Sequence, residues 1–390
     1  MFSIPHINFF IILVIAPLCL QNITLLAFGG AGLKVFHLSI AAFALYWLYG
    51  LTFNINLTAP IMFIGLLIVI SLLVGIFYGV SSLFINYVFI FVLGLVIAAH
   101  PESFSFIVFR QSLFIVALPV FLYVMLNIIF NLQAVIAAQA FNIKFGGRPI
   151  IPNMLFSGGW NIEATYLAML SVLFIRSRWF MFFISITFVV SVAYLSRTGL
   201  VLFVVLAMYW VFFTLYNRVS TFTLFFFIPL FLLILFILFL VVGYYLDISV
   251  VKRLFIIGNE PGSQGRLDIL QYVIPGLVDS MFFGYGPGNT MDKLIAMGLE
   301  TQNHNLHNYY LQLLLDFGFL GLTAYAIFIC YFLLNRQIVL EFKLFFSLYL
   351  IGSFVQFRGA EPLIWSILFF AFLVKQPHKP YNSPPLAITS

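Results

Sequence analysis

Long apolar runs, separated by short polar segments, fill most of the 390-residue chain. A helix that crosses a membrane needs roughly 20 mostly apolar residues. About twelve runs reach or approach this length, and we predict a membrane-spanning helix in each. The predicted spans are 8–29, 35–52, 59–79, 81–99, 107–130, 160–175, 179–196, 198–216, 220–246, 309–333, 338–357 and 361–374.

The composition agrees with this pattern. Apolar residues make up 64% of the chain and charged residues only 7%, whereas a soluble domain carries about 25% charged residues. So little charge excludes a cytoplasmic globular enzyme, a nucleic-acid-binding protein and a disordered chain. We predict an all-α polytopic membrane protein with one transmembrane domain over residues 1–375 and a cytoplasmic tail over 376–390.

The distribution of Lys and Arg predicts the orientation, because short cytoplasmic loops of membrane proteins are enriched in these residues. With twelve spans and a cytoplasmic N-terminus, the inner loops carry Arg176, Arg178 and Arg336. Both termini are then cytoplasmic. Two longer segments, 131–159 and 247–308, lie on the outer face. Their basic residues do not contradict the assignment, since long loops are translocated largely regardless of charge.

The larger outer loop is predicted to contain an amphipathic helix over residues 264–283. Helices of this kind often lie in the membrane interface. A turn rich in Gly and Pro follows at 284–289 and suits a close approach of backbones. The apolar positions of the helix recur with helical spacing, which puts them on one face, and are Leu267, Leu270, Ile274, Leu277, Val278 and Met281.

Basic side chains on the predicted outer face suggest a site for an anion. Arg197 follows Ser196 between two apolar runs, and Arg148 and Arg266 belong to the two outer loops. Arginine presents a fork of donors that matches phosphate oxygens. His307 lies just before an apolar run, and histidine titrates near neutral pH, so it can serve as a general base.

Each candidate also has a structural interpretation. His307 could cap the following helix, Arg197 could anchor in lipid headgroups, and Arg266 could pair with Asp268 on the surface. Arg148 could serve only the solubility of its loop. Three secondary candidates complete the set: Glu163, which could pair with an arginine of the site or assist an acceptor group, and His304 and Asn308 beside His307.

Several motifs follow one another in a recognisable order. They are Ser196-Arg197-Thr198-Gly199, Gly265-Arg266 leading to Gly284-Tyr285-Gly286-Pro287-Gly288, and His307-Asn308-x-x-Leu311-Gln312 with Gly318 and Gly321. With this order and spacing, over roughly residues 140–330, the chain resembles the O-antigen ligase/polymerase superfamily of Wzy polymerases and WaaL ligases. The spacing from Arg148 to Gly159 also resembles a signature of Wzy outer loops.

The resemblance implies a membrane-embedded glycosyltransferase of the GT-C type in the bacterial inner membrane, with its active site facing the periplasm. The donor would be an undecaprenyl-diphosphate-linked glycan, and neither a metal nor another cofactor would be needed. By the same resemblance, Arg197 and Arg266, with Arg148 as a third candidate, would hold the donor diphosphate. His307 would orient or deprotonate the attacking hydroxyl.

Three functions remain open at the level of the sequence. The first is an O-antigen polymerase that extends a lipid-linked repeat unit, with a Wzz-type chain-length regulator as a possible partner. The second is a WaaL-type ligase that transfers the glycan to lipid A–core. The third is a lipid-linked oligosaccharide flippase, which would need charged residues along a central cavity. An enzyme is favoured over the flippase, because nearly all ionisable residues lie at helix ends and in outer loops. The compact outer loop and the spacing from Arg148 to Gly159 favour the polymerase over the ligase.

Overall fold

In a computed structural model, the protein is described at residues 6–28, 31–37, 57–100, 103–140, 151–215, 234, 237–238, 241–245, 261–280, 282–300, 306–357 and 359–375. These residues are mostly helical. Their helices are α1 (His6–Leu18), α2 (Ala59–Tyr78), α3 (Ser82–Ala98), α4 (Phe106–Phe130), α5 (Leu132–Ala140), α6 (Trp160–Val172), α7 (Phe180–Ala193), α8 (Arg197–Leu215), α9 (Pro261–Asp279), α10 (Thr290–Ala296), α11 (Tyr309–Leu334), α12 (Leu340–Ser353) and α13 (Pro362–Leu373).

Four of the described helices, α2, α4, α8 and α11, are long and apolar enough to cross a membrane. Shorter apolar helices occur within α1, α3, α7 and α13. Most predicted spans coincide closely with a helix, as 59–79, 81–99 and 107–130 do with α2, α3 and α4. The chain is therefore a multi-pass helical membrane protein. Twelve spans remain a prediction, because 35–52 and 220–246 lie mostly outside the described residues.

The first predicted span, 8–29, is wrong in its second half. Helix α1 ends at Leu18, and the chain continues into an antiparallel hairpin of β1 (Thr24–Phe28) and β2 (Ala31–Lys34). In the sequence, only Gly29 and Gly30 separate the two strands. A Gly-Gly pair between two short apolar runs favours a two-residue hairpin turn, and hydropathy alone does not reveal this signal.

Two helices form the centre of the bundle. Helix α6 is buried from Glu163 to Val172, and α13 is buried from Pro362 to Ala371. A helix that is apolar all round must be covered on every side. Helix α13 packs against α1, α2, α3 and α12, and α6 packs against α7, α8 and α12. The candidate motif at Ser196-Arg197 begins α8 and so lies beside α6.

The helix ends fall into two sets, and the contacts occur within each set. In the first set, Asn289 Nδ2 donates to the Gly79 carbonyl at 3.0 Å, and Ser81 Oγ donates to the Pro287 carbonyl. In the second set, β3 (Phe104–Ser105) pairs in parallel with β4 (Val374–Lys375). Arg176 and Glu341 form an ion pair at 3.6 Å, also in the second set. The first set contains segments predicted to face outward and the second contains segments predicted to face the cytoplasm.

The loop predicted to face outward (the outer loop) has a small hydrophobic core of its own, separate from the core of the bundle. It combines residues of α9 and α10 with Leu306 and with Leu315 of α11. Helix α11 is broken at Gly318, which has non-helical dihedral angles (φ 66°, ψ −165°). The part of α11 before this break packs on the outer loop, so the loop is fastened to the helix that follows it.

The predicted amphipathic helix is confirmed by α9, but only part of its predicted apolar face is buried. Leu277 is buried in the small core with Ile269 and Val273, whereas Leu270 and Ile274 are 50% and 72% exposed. The helical spacing in the sequence predicts one apolar face, and the structure divides that face into a buried part and an exposed part. Met281 and the side chain of Leu267 lie outside the described part of the chain.

Candidate functional site

The segment before α8 holds Arg197 at a tight turn. Leu195 has a positive φ of 52°, and the Ser196 N–H donates to the Ser191 carbonyl at 2.9 Å. Ser196 Oγ accepts from the Gly199 N–H at 3.1 Å, which is the hydrogen bond of an N-terminal cap. Arg197 is therefore the first residue of α8, and it is partly exposed.

Gly199 explains why this motif needs a residue without a side chain. A Cβ at this position would lie 2.7 Å from Ser191 Oγ and 2.9 Å from the Ala164 Cβ. Real side chains do not approach this closely, so a larger residue would push α8 away from α6. The Ser-Arg-x-Gly pattern thus combines a helix cap, an arginine at the helix start and a close contact with the central helix.

Glu163 is completely buried on α6 and fastens two outer segments together. Its carboxylate accepts hydrogen bonds from the Leu155 N–H at 3.0 Å, the Phe156 N–H at 3.4 Å and the Tyr194 hydroxyl at 3.1 Å. The first two donors belong to the segment before α6, and Tyr194 is three residues before Arg197. Glu163 therefore holds the backbone around the arginine motif, and any role toward a substrate remains a prediction.

The turn over residues 284–289 docks where α11 is broken. The Tyr285 N–H donates to the Leu315 carbonyl at 2.8 Å and the Gly286 N–H donates to the Asp316 carbonyl at 2.9 Å. A Cβ on Gly284 would lie 2.6 Å from the Asp316 carbonyl oxygen, and a Cβ on Gly318 would overlap the Phe282 carbonyl oxygen. The two glycine motifs are therefore the two sides of one backbone contact.

Asp316 is a residue of the site that the sequence motifs do not single out. Its carboxylate is fully buried and accepts from Thr290 Oγ1 and from Gln312 Nε2, the latter at 2.9 Å. It thus joins α10 to α11 at the break. An aspartate within a long apolar run is itself a signal, because a buried carboxylate needs partners.

Tyr285 anchors the same turn from the other side. Its hydroxyl donates to the Gly276 carbonyl at 2.7 Å and to Asp279 Oδ2 at 2.9 Å. Burial, together with the hydrogen bond to the Asp279 carboxylate, raises the pKa of Tyr285. The phenol therefore remains a protonated donor at physiological pH, and the Gly-Tyr-Gly turn is attached to the end of α9.

His307 has an uncommon backbone conformation, with a positive φ of 54°. On one side, Leu306 is buried in the small core, and its N–H donates to Gln312 Oε1 at 3.3 Å. On the other side, Asn308 caps α11 by accepting from the Leu311 N–H at 3.1 Å. The cap is therefore Asn308, while His307 is partly exposed and its backbone is held between two anchored neighbours.

Packing connects the His307 segment to the Arg197 segment. A Cβ on Gly359 would overlap the ring of Tyr309, and the Tyr310 hydroxyl donates to the Leu350 carbonyl at 2.8 Å. The start of α11 is thus attached to the end of α12 and the turn after it. That turn contacts α6 through a hydrogen bond of 3.1 Å from Thr165 Oγ1 to Gln356 Oε1. Helix α6 in turn carries Glu163 beside the arginine motif.

Backbone strain is concentrated in these outer segments. Among the described residues, four that are not glycine have a positive φ: Asn153, Leu195, Phe282 and His307. They lie before α6, before α8, before the glycine-rich turn and before α11. Such conformations cost about 1–3 kcal/mol each and persist where the surrounding structure enforces them, often at functional sites. The four segments therefore form the candidate site.

Two predicted site residues and the side chain of a third lie outside the described part of the chain. Arg148 and His304 lie outside the described residues. Arg266 lies within α9, but its side chain is also outside the described part. In the ranges that the structure describes, no three His, Cys, Asp or Glu side chains come together in a way that could hold a metal ion.

The architecture and the strained outer segments define a helical membrane protein with a candidate site at one end of its bundle. Residues 180–326 match the family model described as O-antigen ligase. This region runs from α7 through the arginine motif and the outer loop to α11, and the match confirms the resemblance to the O-antigen ligase/polymerase superfamily. No curated protein matches the chain.

Proposed function

We propose that the protein is an O-antigen polymerase of the Wzy type. It transfers a glycan from undecaprenyl diphosphate to a lipid-linked repeat unit at the periplasmic face of the inner membrane. The observation that carries the proposal is the strained backbone at four connected outer segments, two of which contain the arginine and the histidine that the family resemblance singles out. The match over residues 180–326 supports the same class of reaction.

In the proposed reaction, a hydroxyl of the acceptor sugar attacks the anomeric carbon of the donor glycan. The new glycosidic bond forms as the bond from that carbon to the diphosphate oxygen breaks, and undecaprenyl diphosphate leaves. The hydroxyl proton passes to the imidazole of His307, which acts as general base. Arg197 and Arg266, with Arg148 as a third cation, stabilise the negative charge that develops on the diphosphate.

The position of Arg197 suits this role. It begins α8, where the N–H groups of the first helical turn attract an anion. The cationic side chain of Arg197 adds to that attraction. The Ser196 cap and the contact of Gly199 with α6 hold this helix start in place. A guanidinium on such a support needs little reorganisation when the leaving diphosphate gains charge.

A ligase of the WaaL type is the second candidate. It is favoured by the description of the matching family model, O-antigen ligase. The spacing from Arg148 to Gly159 favours the polymerase. Both enzymes would use the same donor and the same arginines and histidine, and they differ in the acceptor.

The test is a lipopolysaccharide gel of a strain that lacks the gene, complemented with the wild type or with His307→Ala. For a polymerase, the deletion leaves a single repeat on lipid A–core, and only the wild type restores the ladder. His100→Ala is the matched control, because His100 follows α3 in the set of ends predicted to face the cytoplasm. We expect this control to restore the ladder.

Two results would contradict the polymerase. If the deletion also removes the single-repeat band while polymer accumulates on the carrier lipid, the protein is a ligase. If the ladder of the deletion strain is normal, the protein does not act in O-antigen assembly. Equal amounts of each variant in the membrane fraction must be verified, because Ala accepts the positive φ of position 307 no more readily than His does, and a change in folding would alter the yield of protein.

A further inference from the structure

Helix α9 has three distinct faces, although an ordinary amphipathic helix has two. Its residues are placed at about 100° per residue around the helix axis, and burial separates them into three sectors. The first sector is buried in the small outer core. The second is exposed and apolar, and the third is exposed and polar. In order, the sectors contain Ile269, Val273, Gly276, Leu277 and Ser280; then Leu270, Ile274 and Val278; then Asp268, Gln271 and Asp279.

The exposed apolar sector is large for a helix that lies outside the bundle. Leu270, Ile274 and Val278 are 50%, 72% and 57% exposed, at a spacing of one residue in four. Just beyond the helix end, Phe282 and Phe283 are also exposed. Large exposed apolar patches on a protein mark a surface that contacts another apolar phase or partner. Water alone is an unfavourable neighbour for this stripe.

The stripe continues onto the exposed surface of a membrane-spanning helix. The ring of Phe282 stacks on that of Phe319 in α11, with 5.7 Å between the ring centroids. Leu320 and Ile327 of α11 are exposed as well, on a helix long and apolar enough to cross a membrane. Phe282 therefore links the end of α9 to the exposed apolar surface of α11, and in α11 the neighbour of such a surface is the lipid bilayer.

We propose that α9 is embedded along its length in the outer leaflet interface, with Leu270, Ile274 and Val278 against lipid acyl chains. Three neighbours account for the three sectors: the protein core for the first, lipid for the second and water for the third. A helix that faced only water and protein would not need the second sector. This inference rests on the membrane placement of α11 and not on the proposed reaction.

The arrangement has a consequence for the site. At its C-terminal end, α9 carries Asp279, whose carboxylate accepts a hydrogen bond from the Tyr285 hydroxyl. This bond holds the glycine-rich turn against the break in α11. An α9 anchored in the interface would hold this turn at the depth of the lipid headgroups. A lipid-linked diphosphate occupies the same depth, because its isoprenoid chain stays in the membrane.

The experiment measures the surroundings of single spin labels in the full-length protein, reconstituted in vesicles of phosphatidylethanolamine and phosphatidylglycerol. Cys330 is exposed and is replaced by Ser, and Cys19 is buried and retained. Labels are placed with Ile274→Cys in the apolar sector and with Asp268→Cys in the polar sector. Ile327→Cys on α11 is the matched control for a residue in lipid. Collisions with oxygen report lipid, and collisions with a water-soluble nickel chelate report water.

We expect the ratio of oxygen to nickel accessibility at Ile274 to be several-fold higher than at Asp268 and below that at Ile327. A ratio at Ile274 equal to that at Asp268 would overturn the proposal, because the stripe would then face water. Low accessibility to both reagents would also overturn it. Since no other protein is present in these vesicles, that result would indicate that a second copy of the chain covers the stripe. No substrate is involved, so the outcome is independent of the proposed reaction.

Discussion

At the scale of single residues, two buried acids of this protein hold separate segments together. Glu163 binds both the segment before α6 and Tyr194, which lies next to the arginine motif. Asp316 joins α10 to α11. Each carboxylate is completely buried and has several donors. A buried acceptor of this kind is expensive to remove, because each donor left without a partner costs about 1–3 kcal/mol.

This reasoning gives a prediction for Glu163. Glu163→Leu leaves two buried backbone N–H groups and the Tyr194 hydroxyl without an acceptor, and should lower the melting temperature in detergent and abolish polymer. Glu163→Gln keeps one acceptor oxygen and should reduce the melting temperature and the amount of polymer less than Glu163→Leu does. Thermal unfolding and the lipopolysaccharide gel measure the two effects. Glu300→Leu is the control, because Glu300 is exposed in the outer loop.

The same pair of measurements distinguishes the two roles considered for Glu163. Loss of polymer in Glu163→Gln with an unchanged melting temperature would show that the carboxylate acts toward a substrate. A parallel loss of stability and polymer would show that it acts by holding the segments around Arg197. The geometry favours the second role, because the carboxylate already accepts three hydrogen bonds from the protein.

At the scale of elements, the decisive feature is the contact between the glycine-rich turn and the break in α11. From the sequence, Gly318 and Gly321 indicate close helix packing. In the structure, Gly318 has dihedral angles that essentially only glycine adopts. The space for its side chain is occupied by the Phe282 carbonyl oxygen. Local sequence pattern does not reveal this contact, since Phe282 and Gly318 lie 36 residues apart along the chain.

Gly318→Ala should therefore lower the stability of the protein much more than the replacement of a glycine that has the same backbone conformation but an empty space where the Cβ would lie. Gly79 is the matched control: its φ of 80° and ψ of 169° lie in the same region, but a Cβ there would meet nothing within 4 Å. Gly79→Ala should cost about 1–3 kcal/mol, seen as a modest fall in melting temperature. Gly318→Ala must also displace the turn over residues 284–289, and should abolish polymer. If the two replacements lowered the melting temperature and the amount of polymer equally, the contact between Gly318 and the glycine-rich turn would not be important for stability.

At the scale of the whole molecule, the two sets of helix ends provide a test of the orientation. The outer turns contact one another, and the Arg176–Glu341 pair and the β3–β4 pair lie in the other set. A bundle that spans a membrane must expose the two sets on opposite sides. The distribution of Lys and Arg predicts which set is cytoplasmic.

Cysteine labelling checks this orientation. In a chain with Cys330→Ser, Glu300→Cys should react with a membrane-impermeant maleimide in intact spheroplasts. Arg178→Cys should react only after lysis, because Arg178 lies in a predicted cytoplasmic loop. Both positions are exposed, so access to water is comparable. Labelling of Arg178→Cys before lysis would reverse the orientation and move the candidate site to the cytoplasmic side.

The sequence by itself determined the class of this protein, most helix positions and the motifs of the superfamily. Apolar runs and sparse charge are local properties, and the bilayer imposes the same length on each span. Only the tertiary structure decided that 8–29 is a helix followed by a hairpin, that α9 has two apolar faces, and that Glu163 and Asp316 fasten the site. These features depend on which surfaces are covered and which donors meet a buried carboxylate, and both are set by contacts between segments far apart in the chain.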